Sequence, residues 1–250
     1  MTPSMDFTSR SKHRDLPALT AAFEKLDKEI IECRKCPRLV AWREEVALTK
    51  RKAYQDWDYW GKPVPGFGDH GARVLVVGLA PGAHGSNRTG RQFTGDASGG
   101  FMYPALYRAG FANQPHSTSR DDGLALHDMY ITAAGRCAPP GNKPLPNELD
   151  NCQPYLEQEI KLLKPKVIVA LGRIAFTRVL KINFLKMDLN LKAGKRPVPM
   201  VFCHGAVHKL NDDTWLLCSY HPSRQNTSTG KLTVKMFDQI WEKAKELIGA

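Results

Sequence analysis

Four short apolar runs, each stopped by glycine, proline or a polar turn, most constrain what this chain can fold into. They are residues 74–77, 129–132, 166–171 and 215–219. Runs of this length, rich in Val, Ile and Leu, read as strands, and continuous apolar character reads as burial on both faces. Residues 199–202 read as a further edge or hairpin strand. Helical periodicity fills the intervals. Leu19, Phe23, Leu26, Ile30 and Cys33 give one apolar face over 17–35. Ser98 is the expected cap of a helix over 99–110, and Leu149, Cys152, Leu156, Ile160 and Leu163 mark one over 147–163. Others are expected over 173–181 and 230–248. Alternating strands and helices predict an α/β fold, a mostly parallel four-stranded sheet with helices on both sides. Residues 1–16 read as a flexible N-terminal arm and 17–250 as a single domain.

Three strand ends, after 77, 132 and 219, lead into unusual loops. In an open parallel sheet such ends share one rim, where ligands bind. The first loop carries Gly78, Gly82, Gly85, Gly90 and Gly95, which let a backbone approach a ligand closely. It also holds His84, Asn87, Arg88, Arg91, Phe93 and Asp96. It lacks the Lys-Ser/Thr close of a P-loop and is not a dinucleotide fingerprint. The stretch 42–60, with Arg51, Lys52, Tyr54, Trp57, Tyr59 and Trp60, reads equally as a DNA-touching segment or a solvated surface insertion.

Lys and Arg number 36 against 25 Asp and Glu, a formal charge of +11. That excess points to a polyanion, nucleic acid before membrane. No run of membrane-spanning length and no signal-peptide core occurs, so a cytoplasmic, nucleoid-associated monomer is expected. In a reducing compartment cysteines are thiols rather than disulfides. Cys33 and Cys36 form a Cys-x-x-Cys pair, and Cys137 and Cys152 stand further on. Four thiolates suit tetrahedral zinc or an iron–sulfur cubane. Cys203 and Cys218, beside apolar strands, read as buried free thiols. His221 follows the last strand, with Pro222 stiffening the chain beyond it.

Gly78, Leu79, Ala80, Pro81 and Gly82, together with His221, Pro222 and Ser223, resemble the two signature motifs of the uracil-DNA glycosylase superfamily. The segments 83–96, 136–144 and 219–227 are similar to family 5, the type B enzymes. The four cysteines match the ligand pattern shared by families 4 and 5. The resemblance covers roughly residues 30–245. It implies a three-layer α/β/α fold, a [4Fe-4S] cluster on Cys33, Cys36, Cys137 and Cys152, and a monofunctional glycosylase acting on double-stranded DNA.

By that resemblance Phe93 stacks on a flipped base. Gly78, Leu79, Ala80, Gly82, His84 and Ala133 line its pocket. His221 donates a hydrogen bond to the departing base anion, worth about 3–4 kcal/mol by analogy with an oxyanion hole. Ser223, Arg224, Gln225 and Asn226 meet the DNA. The chain departs from relatives in ways that matter. Leu79 stands where family 4 has an acid, and Ala80 where family 1 has an aspartate, so neither activates water. Asp96 then becomes the expected base, with Asn142 holding the water; as plain structural groups they would be a helix-end charge and a turn residue. Ala133 replaces the asparagine with which other relatives read uracil. Broad specificity follows, covering uracil, hypoxanthine and ethenocytosine. The rival readings are a strict, family 4-like uracil enzyme and a DNA-binding relative without catalysis.

Overall fold

The computed structural model describes residues 15–185 and 199–249. The expected arm falls mostly outside them, but Asp15 and Leu16 belong to the first helix. Asp15 accepts a hydrogen bond from Ala18 N at 3.2 Å and caps α1 (Leu16–Ile31). α1 stops four residues short of the expected 35. Pro37 starts a second helix there, α2 (Pro37–Thr49), as proline favours the first helical position. This helix was not expected. Its buried residues are Leu39, Val40, Arg43 and Val46, so a cation interrupts what would otherwise be an apolar stripe.

One sheet organises the rest. Its strands are β1 (Phe67–Gly68), β2 (Val74–Gly78), β3 (Met129–Ala133), β4 (Val167–Leu171), β5 (Val207–Lys209) and β6 (Trp215–Ser219). The order is β1-β3-β2-β4-β6-β5. The four central strands are mutually parallel, in agreement with the expected core. The sheet is larger than the four strands expected, because β1 and β5 add short antiparallel edges. The edge lies at Val207–Lys209 and not at 199–202, which holds no strand. A tight turn through His204 and Gly205, with Gly205 at φ +78°, sets that register, and Gly205 N donates to Cys218 O at 2.8 Å.

All five residues of β2, β3 and β4 are buried. Helices cover both faces, which makes three layers. On one face Val76, Ile131, Val169 and Leu217 pack on α4 (Ala97–Arg108) and α8 (Val234–Ile248). On the other, Leu75, Val77, Ile168 and Leu216 pack on α1, α5 (Pro146–Leu163) and α6 (Arg173–Leu180). α8 buries Phe237, Ile240, Trp241, Ala244 and Ile248, and starts later than the expected 230 because Thr233 caps it. The turn helices α3 (Ser86–Thr89) and α7 (Arg224–Ser228) also escaped the sequence reading. Among the described residues no helix is long and apolar enough to cross a membrane.

Candidate active site and four-cysteine pocket

The parallel strands bring the three loops to one rim. Ala134 N donates to Gly78 O at 3.0 Å, and Gly135 N to Leu79 O at 2.9 Å. Ala133 pairs with Gly78 in register. Leu79, Ala80 and Ala133 therefore stand together where β2 and β3 end, and their side chains carry no polar atom.

Phe93 and His221 meet over this end. Their ring centroids lie 5.8 Å apart, tilted by 32°. Phe93 holds a left-handed backbone, φ +51°, which turns its ring onto Gly78. A Cβ at Gly78 would sit 2.8 Å from Phe93 Cζ, so only glycine admits the ring. His221 is held from behind: Asn226 Nδ2 donates to its carbonyl at 2.9 Å. Burial disfavours the imidazolium and lowers the His221 pKa to about 4. At neutral pH the ring is uncharged and keeps one N–H to donate.

Asp96, not Ser98, caps α4. Gly99 N donates to Asp96 Oδ1 at 3.0 Å. The other oxygen lies in the turn through Gly82 and Gly85. A Cβ at Gly82 would come within 3.1 Å of Oδ2, and one at Gly85 would overlap the carboxylate outright. Burial raises the Asp96 pKa, while the amides of Gly99 and Ser98 and the charge of Arg88 pull it back. The structural and chemical readings of Asp96 thus divide between its two oxygens. Asn142 ends an exposed turn at φ +57°, and among the described residues no hydrogen bond ties its side chain to Asp96 or His221.

The loop's cations face inward. Arg88, 3% exposed, is stacked between Tyr54 (4.0 Å) and Trp57 (3.9 Å). It donates to His84 O at 2.8 Å and Gly95 O at 3.0 Å. Arg91 pairs with Asp122 at 2.7 Å. Trp60 packs on Gly90, and its backbone N donates to Arg88 O at 2.9 Å. The aromatic segment before β1 therefore braces the loop. Tyr59 Oη lies 3.1 Å from His84 Nδ1, and burial lowers the His84 pKa. On α7, Arg224 and Gln225 are exposed, whereas Ser223 caps the helix and Asn226 holds the backbone. Asn226, expected to meet DNA, also donates its amide to the His221 carbonyl.

The four cysteines come from three places: the turn between α1 and α2, the loop after β3, and α5. Cys33, Cys36, Cys137 and Cys152 line one pocket with Arg43, Arg136 and Asn151. Arg43 Nη1 donates to Cys137 Sγ at 2.9 Å, and Asn151 Nδ2 to Cys36 Sγ at 3.3 Å. Burial pushes the Cys137 thiol up to about 12 and raises Cys152 as well. Among the described residues no group of three His, Cys, Asp or Glu is arranged to hold a metal ion. Cys218 is buried in β6 as expected, but Cys203 is exposed, since the chain there runs outside the sheet. Arg43 was not singled out from the sequence. Nothing marks it there, because its partners are far away in the chain.

Residues 65–245 match the Uracil DNA glycosylase superfamily. A type-5 uracil-DNA glycosylase of Thermus thermophilus is 52% identical over 227 residues, covering 90% of this chain and 98% of that protein. One from Mycobacterium leprae is 50% identical, covering 90% and 95%. A type-4 uracil-DNA glycosylase of Archaeoglobus fulgidus is 30% identical, covering 80% and 82%.

Proposed function

The chain belongs to the uracil-DNA glycosylase superfamily, and from that premise we propose that it excises uracil, hypoxanthine and ethenocytosine from double-stranded DNA, opening base excision repair. The observation that carries this reading is Phe93 and His221 meeting over Gly78, with Asp96 Oδ2 set against Gly82 and Gly85 further along the same loop. A flipped base would stack near Phe93 and lie within reach of the His221 imidazole. As the N-glycosidic bond breaks, its electron pair leaves with the base. Neutral His221 donates a hydrogen bond to the anion so formed, without needing to be charged. Water adds its oxygen to C1′ of the sugar, and the Asp96 carboxylate takes the proton released. Asn142, carried on the loop after β3, would help to hold that water.

The pocket wall supports breadth. Leu79, Ala80 and Ala133 offer no side-chain donor or acceptor that would leave a wrong base unpaired, so discrimination is weak. Exposed Arg224 and Gln225 would brace the duplex around the gap, and the formal charge of +11 supplies the general attraction to phosphate.

We also assign the four-cysteine pocket to a [4Fe-4S] cluster. The donor set fits. Four thiols from three segments line it. Arg43 is a buried cation whose Nε has no partner, so an anionic group on the thiolates would satisfy it. Bound, the cluster supplies a four-point cross-link between the α1–α2 turn, the loop after β3 and α5.

Release of base from duplexes holding a single uracil, hypoxanthine or ethenocytosine tests the substrate reading. All three bases should leave. Release of uracil alone would replace broad specificity with a strict pocket.

A further inference from the structure

One hydrogen-bonded path of buried residues joins the four-cysteine pocket to the seat of Asp96, and the mechanism above makes no use of it. Arg43 is 2% exposed. Besides Cys137 Sγ it reaches Cys33 O at 3.4 Å. Its ion pair with Glu44 spans 3.7 Å to a carboxylate in contact with water, so the guanidinium relies on the pocket for compensation. The carbonyl of the same residue accepts from Asn87 Nδ2 at 3.2 Å. Asn87 is 0% exposed. Its amide also reaches Ala83 O at 3.4 Å, and its backbone N donates to Gly82 O at 3.0 Å. Gly82 is one of the two glycines against which Asp96 Oδ2 lies. The path therefore runs from Cys33 and Cys137 through Arg43 and Asn87 to the turn that shapes the base's seat.

We propose that Arg43 and Asn87 are positioning residues that couple the state of the four-cysteine pocket to the placement of Asp96. The physical link is charge. With an anionic group on the thiolates, Arg43 is held at both ends, by sulfur at its guanidinium and by Asn87 at its carbonyl. Without that group a buried cation loses its counter-charge, and α2 has reason to shift, carrying Asn87 and the turn with it. Neither residue touches the reacting atoms. The inference rests on the pocket being a cluster site.

The test uses the purified full chain, with iron and sulfide content and visible absorbance followed beside turnover. Asn87→Ala should keep its cluster and its KM, lose about tenfold in kcat, and show faster amide hydrogen exchange over residues 82–89. Stripping the cluster from wild type with chelator and oxidant should raise the same exchange, while stripping Asn87→Ala should add nothing, the signature of one shared path. Arg43→Lys, which keeps the charge, should lie between wild type and Arg43→Met. Asn87→Ser serves if the alanine variant does not fold. Cluster-loaded Asn87→Ala with wild-type kcat and exchange, or loosening on stripping that is equal in variant and wild type, overturns the coupling. Wild-type protein without iron instead overturns the reading of the pocket, and the coupling falls with it.

Discussion

The rim and the four-cysteine pocket share the loop after β3, yet they hold their groups in contrasting ways. At the rim, backbone does the work. Glycines at 78, 82 and 85 leave gaps that a ring and a carboxylate fill, and the proposed site side chains are few: one ring, one uncharged imidazole and one carboxylate. Around the pocket, charge does the work: Arg43 faces the thiols, and Arg136 lies against Glu159 at 2.6 Å with both side chains almost fully buried. The contrast is one of purpose. A site that receives a flipped base needs space and an uncharged donor, while a cross-link needs many strong fixed contacts. Damage at the pocket should therefore appear first as lost stability, reaching rate only through Arg43 and Asn87, and damage at the rim as lost rate.

The sharpest break of this contrast is Arg136→Met. It strands Glu159, which is 0% exposed, and should cost about 3–5 kcal/mol in chemical denaturation. Adding Glu159→Met should recover most of that loss. The rim contributes a smaller, pH-dependent amount. Folding lowers the His221 pKa from 6.5 to about 4, so the unfolded chain takes up that proton first. Its contribution is whole above about pH 6.5 and falls by about 3 kcal/mol as the pH drops to 4. Asp27, raised to about 7, slopes the other way across this window. The slope assigned to His221 is thus the difference between wild type and His221→Asn in denaturation curves at several pH values. The smallest effect is at Asn142. Asn142→Gly, at an exposed turn where φ is +57°, should slow base release by about tenfold and leave stability within about 0.5 kcal/mol of wild type.

The same contrast explains what the sequence discloses. The four central strands are legible because each is apolar throughout, and α1, α5 and α8 because their burial repeats every three or four residues. β1 and β5 are two and three residues long and only partly buried, too little for a pattern. α2 hides because Arg43 occupies its inner face. At the site, the loop's glycines and Asp96 stand out in order along the chain, and His221 gains meaning only through the resemblance of its motif. Arg88 and Arg91 look like ligand-facing cations. They are not, since Tyr54, Trp57 and Asp122, which enclose them, are some thirty residues away along the chain. Charge written in a loop does not say which way it points.

The central claim is that Asp96 and neutral His221 perform the chemistry at this rim. Single-turnover release of uracil from duplex DNA tests it most directly, comparing wild type with Asp96→Asn and His221→Ala while DNA binding is measured beside it. The account predicts that each variant binds DNA as wild type does and releases base about 10²- to 10³-fold more slowly. Release at the wild-type rate from either variant would contradict it.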